Sequence, residues 1–130
     1  MFLFCHINMS KKHCYSVYIM TNFSKRSLYT GVTNDLRYRV FEHKTMQGST
    51  YTSKYKCFYL IYYEDYQYIN EAIDREKQFK RWRRSKKVDL INIENKKWED
   101  IADEWYEDEE IEEVRFENMK KKHLAKKQQF

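Results

Sequence analysis

The sequence contains no proline and only two glycines, Gly31 and Gly48, in 130 residues. With so few turn formers, the interior has to be built from side chains on regular elements and not from turn-rich loops. Cysteine is nearly as scarce. Cys5, Cys14 and Cys57 are odd in number and irregular in spacing, which argues against a disulfide framework and for a reducing, cytoplasmic compartment. No stretch approaches the roughly 18 apolar residues of a membrane-spanning helix, so no membrane partner is expected. The apolar opening MFLFCHI lacks a basic leader and a small-residue cleavage site, and does not read as a signal peptide. Residues 1–8 read either as an extension from an upstream start ahead of Met9 or as a frayed end.

Aromatic residues are abundant instead, with twelve tyrosines and eight phenylalanines, enough to fill the core of one domain of this length. The net charge of +5 conceals an asymmetry: residues 1–98 hold 19 Lys and Arg against 9 Asp and Glu, and residues 99–130 hold 6 against 11. A basic body points to a polyanionic partner, most simply nucleic acid, because neutralised phosphates release their condensed counterions.

Tyr15 to Met20 and Leu28 to Thr33 read as two strands of an antiparallel hairpin joined by the polar TNFSKRS, with Tyr18 and Tyr29 close across it. Asn34 makes a candidate N-cap for a helix running to about Met46. Leu36 and Val40 face the core of that helix, and Arg39 and His43 share one surface at i, i+4. Gly48 to Tyr55 reads as a loop, and Cys57 to Tyr63 as a third strand. A helix over Ile69 to Arg84 carries the apolar stripe Ile69, Ala72, Ile73 and Phe79. Glu76 falls within that stripe, where a carboxylate is costly unless something cationic meets it. The basic cluster Lys80, Arg81, Arg83, Arg84, Lys86 and Lys87 around Trp82 is a candidate nucleic-acid ridge. A short helix over Lys86 to Glu94 follows, with Val88, Leu90, Ile91 and Ile93 apolar.

Ser16-Val17-Tyr18, Tyr29-Thr30-Gly31, the helix start Asn34-Asp35-Leu36-Arg37-Tyr38-Arg39, His43 and the segment AIDREKQ (72–78) together resemble the GIY-YIG nuclease superfamily. The closest resemblance is to its small stand-alone members, related to the N-terminal nuclease domain found in excinuclease ABC. It covers about Tyr15 to Trp98. Ser16 stands in place of a glycine, Thr30 in place of an isoleucine, and Val32 where the excinuclease type has a lysine.

The resemblance implies an α+β fold, a small three-stranded antiparallel sheet flanked by helices, with a charged C-terminal tail. The expected division is an N-terminal extension (1–14), a nuclease-like domain (15–98) and a partly helical tail (99–130), acidic to Glu113 and then basic. The implied activity is metal-dependent hydrolysis of DNA phosphodiesters in DNA repair or processing. Its implied catalytic residues are Tyr18, Tyr29, Arg39, His43 and Glu76, with Glu76 the ligand of Mg²⁺ or Mn²⁺. A nucleic-acid-binding module that has lost turnover is the alternative, motivated by Val32. The acidic run of the tail invites a further reading, as a nucleic-acid mimic lying over the basic face.

Overall fold

A computed structural model describes residues 14–128; the proposed extension and the start at Met9 lie outside them. The sheet is three-stranded and antiparallel. β1 (Tyr15–Thr21) is flanked by β2 (Leu28–Thr33) and β3 (Tyr59–Tyr66) in the order β2-β1-β3. A central strand covered on both faces needs apolar residues at nearly every position, and β1 is buried from Ser16 to Thr21. In the β1–β2 turn the Asn22 side chain accepts from Ser27 N–H at 3.3 Å, and Lys25 takes φ 62°. β1 and β3 are out of simple register between Ile19 and Met20, which pair with Tyr62 and Leu60. The extra residue, Ile61, breaks strict alternation: Leu60 and Tyr63 pack on one face of the sheet, and Ile61 and Tyr62 both pack on the other.

The helices are α1 (Leu36–Lys44), α2 (Thr50–Tyr55), α3 (Ile69–Arg81), α4 (Arg84–Glu94) and α5 (Asp108–Gln128). One face of the sheet, with Tyr18 and Met20, takes Leu36 and Val40 of α1 together with Cys57 and Ala102. The opposite face, with Val17 and Ile19, takes Ala72 and Phe79 of α3 and Ile91 of α4.

Several local expectations are corrected. The cap of α1 is Asp35, whose carboxylate accepts from Tyr38 N–H at 3.1 Å, in place of Asn34. The supposed loop 48–55 contains α2, closed by a capping box between Ser49 and Thr52. The helix expected to reach Arg84 stops at Arg81, because Trp82 and Arg83 take extended backbone. Ile69 and Ile93 are exposed, not core. Cys14 is disulfide-bonded, against the expectation of unpaired cysteines, while Cys57 is a free thiol buried in the core.

The packed core extends beyond Trp98. Ala102 is fully buried, and Trp105 and Tyr106 pack against the Tyr18 face. Asp100 carries this crossing segment: it pairs with Lys44, and its other oxygen accepts from Leu60 N–H at 2.9 Å and Ala102 N–H at 3.1 Å. α5 then docks on the end of α1, where Arg115 Nε–H donates to Lys44 O and Asn118 Nδ2–H donates to Thr45 O, both at 2.8 Å. These bonds satisfy carbonyls that the last turn of α1 leaves open.

Candidate active site

Strand register brings the first two side chains together. Tyr18 lies opposite Gly31, and Tyr29 lies opposite Met20 on the same face, so the rings of Tyr18 and Tyr29 meet at 6.2 Å. Gly31 is required by this contact, because a Cβ there would fall 2.5 Å from the Tyr18 ring and hydroxyl. Beside Gly31, Thr30 is buried in the position of the family's isoleucine, with a hydroxyl that has no hydrogen-bond partner. Val32 packs into the core on the opposite face.

α1 supplies the next two residues. His43, fully buried, meets the Tyr18 hydroxyl through Nε2 at 2.7 Å and Thr52 Oγ1 through Nδ1 at 2.9 Å. The Arg39 guanidinium and Tyr29 lie close enough to act on the Tyr18 phenol electrostatically. Tyr18, His43 and Thr52 form one buried chain of hydrogen bonds, whose donors are set by the histidine tautomer. Thr52 Oγ1 is itself held by Ser49 N–H at 3.0 Å. Burial, with Arg39 nearby, pushes His43 down to about 3, so it is a neutral acceptor at physiological pH. Burial and neighbouring Tyr29 raise Tyr18 far above the ordinary phenol range, and Arg39 only partly opposes them.

Sequence reasoning missed Thr52 and Gly48. Their segment was assigned to a loop, although the spacing Ser49–Thr52 is a helix-start signal that could have exposed α2. A Cβ on Gly48 would sit 2.0 Å from His43 Nδ1. That ring is pinned on both sides, by Tyr18 and Thr52, and has no room to yield. We therefore expect Gly48→Ala to cost about 1–3 kcal/mol of stability, the range for overpacking a filled site. Urea denaturation reads this directly, and a loss within error of zero would show that the loop around Gly48 can move.

Glu76 is placed differently from the other four. It lies on α3, which covers the opposite face of the sheet, with its side chain 17% exposed and Oε1 paired with Lys80 Nζ at 2.9 Å. Its cationic partner is thus Lys80, and Arg39 pairs with Glu42 at 3.3 Å. Among the described residues no group of three or more His, Cys, Asp or Glu side chains gathers into a metal cluster. A single carboxylate at the edge of its helix's buried stripe, facing a mostly exposed lysine, still fits a hard cation that keeps most of its waters.

The orientation of α3 is set by a residue next to Glu76 that the sequence pattern does not single out. Arg75 reaches Glu64 of β3 with Nε at 2.8 Å and Nη2 at 3.0 Å, and Tyr62 and Tyr66 also donate to that carboxylate. The guanidinium lies over the rings of Phe79 and Trp82 at 4.5 and 5.2 Å.

The basic ridge is divided in its contacts. Arg84 donates to Arg26 O at 2.6 Å and Lys25 O at 2.7 Å, tying α4 to the β1–β2 turn. Lys80 pairs with Glu76, and Lys86 lies over Trp82 at 4.5 Å. Lys87 is half-buried, while Arg81 and Arg83 are exposed.

A three-stranded antiparallel sheet whose hairpin carries paired tyrosines, joined by an arginine and a histidine from the following helix, defines a nuclease-type domain. The model of the GIY-YIG catalytic domain matches residues 14–89, and the chain belongs to the GIY-YIG family. Similar curated relatives are UPF0213 proteins of Staphylococcus aureus strains Mu50 and MW2, each 41% identical over 75 residues, covering 58% of this chain and 90% of theirs. Among solved structures, the solution NMR structure of a UPF0213 protein from Bacillus halodurans is similar at 27% identity and a TM-score of 0.45, covering 70% of this chain and 97% of that one. No described helix is long and apolar enough to cross a membrane.

Proposed function

We propose that this protein is a metal-dependent endonuclease hydrolysing DNA phosphodiester bonds, acting in DNA repair or processing in the cytoplasm. The observation that carries the reading is the Tyr18 phenol, hydrogen-bonded at 2.7 Å to a neutral, buried histidine with the Arg39 guanidinium nearby. Packing alone does not require a buried phenol and a buried imidazole bonded to each other.

The chain suits removal of a proton from water. Tyr18 is enclosed and Tyr29 is half-exposed, so Tyr29 faces the attacking water. Tyr29, entering the reaction as the phenolate, takes one proton from the attacking water and becomes the neutral phenol, while His43, held neutral by burial, orients Tyr18 beside it. Arg39, partly exposed on the same helix as His43, binds the scissile phosphate and meets the charge that builds on it. Glu76 would hold Mg²⁺ or Mn²⁺, which when bound supplies charge neutralisation at the phosphodiester. Lys80 must release the carboxylate for this, and its exposed side chain is free to do so.

The test is incubation of nicked, branched and single-stranded DNA with either cation, using wild type and Glu76→Ala side by side. Cutting by the wild type that the variant lacks is the expected result. DNA binding without any cutting would favour the second reading, a binding module, for which the observation is Val32, packed inward where a lysine would serve the phosphate. Equal cutting by both proteins would remove the role of Glu76.

A further inference from the structure

Beyond the matched residues 14–89 the chain builds a second basic feature beside the tyrosine–histidine cluster. A cleft of about 920 Å³ runs between the 46–49 connection with α2 on one side and the C-terminal half of α5 on the other. Its lining includes Lys54, Lys56, Lys121, Lys122 and Lys126 and not one carboxylate. We infer that this cleft binds the phosphate backbone of the nucleic-acid strand flanking the cleaved bond, so that α5 acts as a backbone clamp. This rests on the nuclease reading above and extends it to residues outside the shared domain.

Two bland accounts do not explain the lysines. Complementing the helix dipole places basic residues in the last turn, which covers Lys126 and Lys127. It does not cover Lys121 and Lys122, nor Lys54 and Lys56 on the opposite wall. A solvated face alone does not explain why these lysines gather on one cleft. Ile111, Arg115 and Asn118 form the docked stripe of α5, through burial, the Lys44 carbonyl and the Thr45 carbonyl respectively. At helical spacing that stripe continues through Lys122 to Lys126, and these exposed side chains line the cleft together with Lys54 and Lys56. Positive charges gathered around one cleft repel one another unless an anion lies between them. The acidic run of the tail does not fill that place, since no Asp or Glu lines it.

The occupant follows from position. Gly48, which abuts His43 Nδ1, is itself part of the cleft wall. A strand whose phosphate sits at Arg39 and Tyr29 would run on past Gly48 into the cleft. The Tyr29 ring stacks on Tyr51 at 6.1 Å and Tyr51 meets Tyr55 at 4.7 Å, so half-exposed rings on α2 link the two sites.

The test compares full-length wild type with Lys121→Ala/Lys122→Ala/Lys126→Ala, reading fluorescence anisotropy of a labelled DNA duplex across a salt series without divalent metal. Each lysine that meets a phosphate contributes about 0.9 to the slope of log K against log salt. The slope should fall by about 2–3 and affinity at moderate salt by at least about 10-fold. Lys96→Ala/Lys97→Ala, on the exposed turn after α4, should bind as the wild type does. All three lysines of the triple variant are exposed, so circular dichroism should show its helix content unchanged. Wild-type binding with the same slope in the triple variant overturns the clamp and leaves the nuclease reading standing. Tighter binding by the variant also overturns it. A wild type that binds no DNA at low salt overturns both.

Discussion

Replacing Arg75 with alanine should lower the unfolding free energy by about 3–5 kcal/mol at neutral pH, the range for removing one partner of a buried ion pair. Glu64 would be left as an uncompensated carboxylate with a side chain only 8% exposed. The Phe79 and Trp82 rings would also lose the guanidinium that lies over them. Burial alone drives the Glu64 carboxyl upward, but Arg75 and the Tyr62 and Tyr66 hydroxyls outweigh it and hold it below the usual carboxylate range. A group whose folded-state pKa is depressed contributes stability above the usual range and loses it as pH falls. In Arg75→Ala the guanidinium no longer opposes burial, and protonating Glu64 relieves the variant. The difference between the two proteins should therefore shrink as pH falls through the carboxylate range. Urea denaturation at a series of pH values measures it; a difference under about 1 kcal/mol at pH 7 would class the pair with ordinary surface bridges. Because Arg75 precedes Glu76 on α3, the same change should also disturb the placement of Glu76.

Arg39→Ala should reduce the cleavage rate by about 10²–10³-fold, the effect of deleting one donor to charge that develops in a transition state. Little of this should come from unfolding. Arg39 is partly exposed, and its removal strips one surface pair from Glu42, about 0–1 kcal/mol. DNA affinity should change little, since a single phosphate contact is lost. Arg39→Lys should recover only part of the rate, because an ammonium keeps the charge but not the planar fork that binds a phosphate bidentately. A rate that survives while affinity collapses would make Arg39 a binding residue with no part in the chemistry.

The legibility of the sequence differed from residue to residue. The hairpin and α1 were readable because β-branched and aromatic runs have period-two geometry and because Leu36 and Val40 are one helical turn apart. The pairing of Tyr18 with Tyr29 and of Arg39 with His43 was readable for the same reason, since strand register and i, i+4 spacing are local, while their part in a site came from the resemblance to the GIY-YIG family. Glu76 stood out through its place in an apolar stripe, but the partner that stripe demanded was the local Lys80. Thr52 and Gly48 escaped because nothing within their own segment announces a histidine nine residues upstream in Thr52's case, or a ring beneath a glycine in Gly48's. Ile93 misled because an apolar side chain at a helix position says nothing about what lies above it.

What the sequence by itself determined is the element order, the two-sided burial of β1 and the candidate residues on one hairpin and one helix, because each depends on neighbours a few positions away. Tertiary structure alone decided that His43 is neutral, since that needs burial with Arg39 nearby. It also decided where the folded body ends. The residues from 99 onward read as a charged tail along the chain, yet Asp100 and Arg115 bind backbone groups 40 and 71 residues away. Only the packing of α5 on the end of α1 set its lysines around the cleft that Gly48 also lines.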